Sequence, residues 1–140
     1  MHEWALAESV VLTALKEAER EQLKEILSVK VKIGELQQID PEIFKFALES
    51  VLKLYDPPPW ELSIDKIELE TDKSVLQCKV CGNRWNLGGT LAGLEHDQAE
   101  AIHFVPEVAR VFAKCPRCGS SDFEVIKGRG VWIDCIEGEK

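Results

Sequence analysis

At 140 residues with a mean hydropathy of -0.13, the chain can build one domain or two small modules. It has no apolar run near the ~20 residues that span a bilayer, so no membrane partner is expected. Its 17 Lys and Arg against 25 Asp and Glu leave a net charge of -8, which argues against a nucleic-acid partner, because that affinity comes from neutralising phosphates. The same balance suits attraction of cations or of a basic partner surface.

The N-terminus has no basic stretch leading into an apolar core, so no secretory signal is expected and the cytoplasm is the expected compartment. Met1-His2-Glu3 instead puts an amine, a backbone amide and an imidazole within one another's reach. These groups can close two fused chelate rings on one metal ion. A deprotonated amide is a strong in-plane donor, which favours square-planar Ni(II) or Cu(II) over tetrahedral zinc. Met1 is expected to be retained, since a bulky second residue hinders its removal. A histidine at position two is commonly incidental, and the signal gains weight only with the rest of the chain.

From residue 4 to about 27, Leu6, Val10, Ala14 and Ala18, with Val11 and Leu15 beside them, follow helical spacing. Val29, Val31 and Ile33 alternate with Lys30 and Lys32 as in a half-buried strand, and Gly34 then allows a turn or bulge. Asp40-Pro41 reads as N-cap and first residue of a second helix. That helix has a stripe of Ile43, Phe44, Ala47, Leu48, Val51, Leu52 and Tyr55, and Asp56-Pro57-Pro58-Pro59 stops it. Leu62-Ser63-Ile64 and Ile67-Glu68-Leu69 read as one strand with a bulge near Lys66. The final Val131, Ile133 and Cys135 alternate again, as a strand returning to the first sheet and burying Cys135.

The texture changes at Ser74. Cys78-x-x-Cys81-Gly82 and Cys115-x-x-Cys118-Gly119 repeat one unit, a short strand ending in a knuckle. Four thiolates in tetrahedral array select zinc and leave no position for water or substrate, so a structural Zn(II) is expected, with iron in the same sulfurs as the alternative. A redox dithiol needs only one such pair, and neither pair stands at a strand-to-helix junction. Without its metal this half has too little apolar content to fold well. The long gap between the knuckles costs little, since doubling a loop adds only about 0.6 kcal/mol. It holds His96 and His103.

The expected fold is therefore α+β: a small mixed sheet with two helices on one face, plus a rubredoxin-like or zinc-ribbon lobe of short strands. Residues 1–72 and 128–140 form the first domain. Residues 73–127 form the zinc domain, with 83–113 inserted. Gly128 and Gly130 are expected to act as hinges, through which a lobe could exchange between chains to give a homodimer.

Together Met1-His2-Glu3, Gly34-Glu35-Leu36 and the two knuckles resemble the HypA family, nickel metallochaperones of [NiFe]-hydrogenase maturation. The resemblance covers essentially the whole chain. Ile102-His103-Phe104-Val105-Pro106-Glu107 in the long insert resembles archaeal members, whereas bacterial members have a shorter segment. The resemblance implies Ni(II) as transient cargo on the Met1 amine, the His2 backbone and imidazole, and Glu3, with His103 able to join the nickel shell. His96 has no counterpart and is expected at the surface. It implies zinc on Cys78, Cys81, Cys115 and Cys118. It also implies a HypB-type nucleotide-hydrolysing partner, delivery to the hydrogenase large subunit, and no active site of the chain's own.

Rival readings are weaker on the residues. A zinc-ribbon nucleic-acid binder would want a basic stripe, yet residues 73–127 hold seven Lys or Arg against six Asp or Glu. A metallohydrolase lacks HExxH and an open metal position. A zinc-stabilised adaptor with an inert terminus is distinguished only by metal binding.

Overall fold

Helix α1 spans Glu3–Arg20 and buries Ala7, Val10, Val11, Ala14 and Ala18 along one stripe. The computed structural model describes residues 3–87, 101, 105 and 113–140. The expected helix to about residue 27 is corrected, because a backbone cap ends it sooner. Gln22 takes φ +55°, its N–H donates to the Glu19 carbonyl at 3.1 Å, and the Leu23 N–H donates to the Ala18 carbonyl at 3.0 Å. This is a Schellman closure, a position glycine usually marks.

Strand β1 (Glu25–Gly34) therefore begins earlier than the lysine alternation suggests, with Ile26, Val29, Val31 and Ile33 buried. Helix α2 (Pro41–Leu52) starts where expected, the Asp40 carboxylate accepting from the Glu42 N–H at 2.9 Å. It buries Phe44, Ala47, Leu48, Val51 and Leu52 and packs against α1. Two members of the expected stripe depart from it. Ile43 is 49% exposed, and Tyr55 lies past the helix end, which closes through Lys53 N–H to the Glu49 carbonyl.

The bulged strand expected from Leu62 onwards is corrected too. Ile64–Lys66 is a single 3-10 turn closed by the Lys66 N–H on the Ser63 carbonyl, and strand β2 is Ile67–Asp72 alone. The phase slip at Lys66 is a turn before the strand, not a bulge within it.

With strand β6 (Val131–Glu139) the first sheet has the order β2-β1-β6. Ion pairs Lys66–Glu25 (3.2 Å) and Lys32–Glu70 (2.8 Å) join like ends of β1 and β2, so these run parallel. Lys24 N–H to the Glu139 carbonyl and Gly34 N–H to the Gly130 carbonyl make β6 antiparallel to β1. The sheet is mixed, and the last strand does return to it. Burial of Cys135 is corrected: the thiol is exposed, because β6 is an edge strand whose inward alternation breaks at that residue.

The second sheet has order β4-β3-β5, from Val75–Cys78 (β3), Arg84–Trp85 (β4) and Phe123–Lys127 (β5), all antiparallel. Its core is Leu36, Leu76, Leu87, Ala113 and Phe123, with Trp85 edge-on to Phe123 at 5.4 Å. The chain divides into two units: the described parts of Met1–Lys32, Ile39–Glu70 and Val131–Lys140 form one, and those of Ile33–Gln38 and Thr71–Gly130 the other. Among the described residues no helix is long and apolar enough to cross a membrane.

Candidate metal centre

The two CxxC segments fold into matching knuckles. In the first, the Cys78 N–H donates to the Asn83 carbonyl and the Gly82 N–H returns to the Cys78 carbonyl, at 2.8 and 3.0 Å. In the second, Cys115 N–H to Ser120 and Gly119 N–H to Cys115 repeat the pattern, both at 2.8 Å. Gly82 and Gly119 take φ +77° and +78°, the left-handed turn for which each knuckle needs its glycine. Lys79 N–H to the Asp122 carbonyl at 2.9 Å ties one knuckle to the other.

The sequence-expected cysteines are brought together. Their four sulfurs all lie within 4.8 Å of one another, with Cys78 to Cys118 at 3.5 Å and Cys81 to Cys115 at 3.6 Å. Zinc–sulfur bonds of about 2.3 Å in a tetrahedron place sulfurs roughly 3.8 Å apart, close to this spacing. Sulfur–sulfur bonds need about 2.05 Å, so these are free thiols and not disulfides.

Electrostatics points the same way. The Cys81 N–H first, and the Val80 N–H, favour the Cys78 thiolate and lower its pKa against the cost of burial. Burial pushes Cys115 up, but N–H groups of Cys118 and Arg117 and the neighbouring thiols outweigh it, taking the group down to about 6. At Cys118 the Ser120 N–H favours the thiolate, yet Cys78, burial and the other sulfurs push the group up to about 12. Four adjacent sulfurs cannot all ionise without a cation among them, and a divalent ion supplies that charge. Asn83 Nδ2 also points at the Cys115 sulfur at 3.8 Å. The donor set fits a structural zinc, held by Cys78, Cys81, Cys115 and Cys118.

Glu3 is half-buried in the first turn of α1, where its charge suits the helix's positive end. Met1, His2, His96 and His103 lie outside the described residues.

One polar cluster escaped the reading of single residues. The Glu35 carboxylate accepts from the Ser74 N–H at 2.6 Å and from Asn86 Nδ2 at 3.1 Å. Ser74 is fully buried, and its hydroxyl accepts from the Leu87 N–H at 3.0 Å. Leu36 N–H donates to the Gly128 carbonyl, and Leu36 itself fills the zinc unit's core. A Cβ on Gly34 would collide with the Gly128 carbonyl. Gly34-Glu35-Leu36 is thus a bolt that fastens Ile33–Gln38 into the second unit. The glycine-acid-leucine run after a strand is the only signal the sequence offers for it.

A family model described as "HypA: Hydrogenase/urease nickel incorporation, metallochaperone, hypA" matches residues 1–138. The chain is 44% identical over 140 residues to "Hydrogenase maturation factor HypA" of Pyrococcus horikoshii, covering 100% of this chain and 97% of that protein. The protein of the same name from Thermococcus onnurineus is also 44% identical, with the same coverage. Among solved structures, the solution structure of the Ni metallochaperone HypA from Helicobacter pylori superposes with a TM-score of 0.61 at 20% identity, over 99% of this chain and 98% of that one. At that identity the likeness speaks for the fold, which among the described residues pairs α1 and α2 with two three-stranded sheets. The full-length match and the archaeal relatives carry more: the chain belongs to the HypA family of nickel-incorporating metallochaperones of hydrogenase maturation.

Proposed function

We propose that the chain carries Ni(II) at Met1-His2-Glu3 and delivers it to the large subunit of [NiFe]-hydrogenase, working with a HypB-type nucleotide-hydrolysing partner. The observation that carries this reading is the family match from residue 1, whose span takes in Met1, His2 and Glu3. Ligands are the Met1 amine, the His2 amide and imidazole, and Glu3, with His103 joining the shell. A site at the open start of a helix can release cargo more readily than a closed cage. Cys78, Cys81, Cys115 and Cys118 hold zinc as a permanent part of the second unit, and the two metals have separate ligands. The first unit and the terminus serve nickel; residues 73–127 serve zinc.

Amide and imidazole donors must lose protons to bind, so nickel affinity rises with pH and falls on acidification. The test is nickel titration followed by X-ray absorption, in the native chain and in His2→Ala, with zinc assayed in both. One nitrogen-rich nickel per chain, lost in His2→Ala while zinc stays, supports a carrier. Equal binding in both leaves a zinc-stabilised adaptor. His103→Ala is expected to keep the nickel but lower its coordination number; an unchanged spectrum removes His103 from the shell.

A further inference from the structure

Strand β6 ends the first sheet, so one whole side of its backbone has no strand partner among the described residues. It is long, spanning Val131–Glu139, and contains no proline that would blunt an edge. Beside it runs a groove of about 750 Å³. On the helix side Ser9, Thr13 and Glu17 recur every fourth residue as one line along α1, with Glu21 just past its end. On the strand side the lining is consecutive from Val131 through Ile136, and beyond that run takes in Gly138 and Lys140. A sheet face would contribute alternate residues, whereas a consecutive run means that the groove opens on the strand's edge. Six strand residues extend roughly 20 Å, room for an extended segment of similar length.

Charge selects the occupant. Asp134, Glu137 and Glu139 on β6 have no ion-pair partner among the described residues. Glu17 and Glu21 are already answered by Arg20 at 2.7 and 3.3 Å, and Lys140 leans to Glu21 at 3.8 Å. The unbalanced charge is therefore the strand's own. A second copy would lay one acidic strand along another, and like charges facing across strands are destabilising.

We propose that the β6 edge and its groove against α1 dock an extended basic segment of a partner protein, which joins the first sheet as a fourth strand. Its main chain pairs with β6, its cations meet Asp134, Glu137 and Glu139, and its apolar side chains enter the groove beside Val10 and Ile136. Ser9 stands roughly 9 Å of helical rise from Glu3, so the docked segment would lie near the start of α1.

The probe is a capped peptide of alternating lysine and valine, ~8 residues long so that it overlaps the whole groove. It is added to the zinc-loaded, nickel-free full chain, with amide hydrogen exchange read along residues 131–139. Because no nickel is present, this result stands apart from the nickel-carrier reading. Expected is slowed exchange along β6, binding weakened by salt, about fivefold weaker binding to Asp134→Lys, and none by the same peptide N-methylated at alternate amides. Unchanged exchange along β6 would overturn the proposal, as would equal binding of the N-methylated peptide. So would β6 protection that grows with protein concentration alone and accompanies a doubled mass, which would assign the edge to a second copy.

Discussion

The two units solve the problem of stability differently. The first buries a stripe from each helix, Ala7 to Ala18 and Phe44 to Leu52, with Ile26, Val29 and Val31 of its sheet. The second has a small core around Leu36, Leu76 and Phe123, and otherwise two turns built to present sulfur. The first therefore depends on packing and the second on a metal. On the proposed function a carrier would gain from that separation, since cargo bound at Met1-His2-Glu3 could come and go while the second unit kept its own ion.

Removing the zinc is expected to separate the behaviour of the two units most. Structural zinc contributes on the order of 10 kcal/mol or more in small zinc domains. Chelation or Cys115→Ser is expected to abolish amide protection in β3 and β5 while α1 and α2 keep theirs. Equal loss in both units would contradict independent support. Phe44→Ala reverses the experiment: about 3–5 kcal/mol lost from the first unit by chemical denaturation, with zinc content unchanged.

Finer tests follow in size. Glu35→Ala strands the Ser74 N–H and is expected to cost about 1–3 kcal/mol, seen as faster exchange at Ser74 and Leu87. Asp40→Ala removes the α2 cap and should cost about 1 kcal/mol in thermal or denaturant melts.

The smallest effect concerns pH. The Lys32 ammonium hydrogen-bonds Glu70 and holds its carboxyl below the ordinary value of 4.5, with Lys30 adding to the pull. A folded-state pKa below the unfolded one means that the unfolded chain binds more protons in this window. The contribution is thus full above about pH 4.5 and disappears as pH falls through the lowered value. Glu70→Gln should flatten that part of the acid limb, measured as stability against pH.

These tests also bear on what the sequence could reveal. Asp40-Pro41 and the paired CxxC runs are local codes, in which a few side chains dictate the geometry by themselves, and the helix start and metal cluster were legible from them. The end of α1 was not, because its cap uses the backbone and puts glutamine where glycine is usual. Ile64–Lys66 has strand-like composition but closes as a turn. Glu35 was visible only as part of a family pattern, since Ser74 and Asn86, its partners, are distant in sequence. Cys135 misled because the inward alternation of Val131 and Ile133 shifts phase and resumes at Ile136, a break that the residue types do not announce.

Central to the proposed function is a terminal nickel site separate from the zinc cluster. The direct test compares protein with a free Met1 amine against protein acetylated there, counting nickel and zinc per chain by native mass spectrometry. One nickel with the free amine, none after acetylation and one zinc in both is the predicted result. Equal nickel in the two proteins, or zinc lost whenever nickel binds, would contradict it.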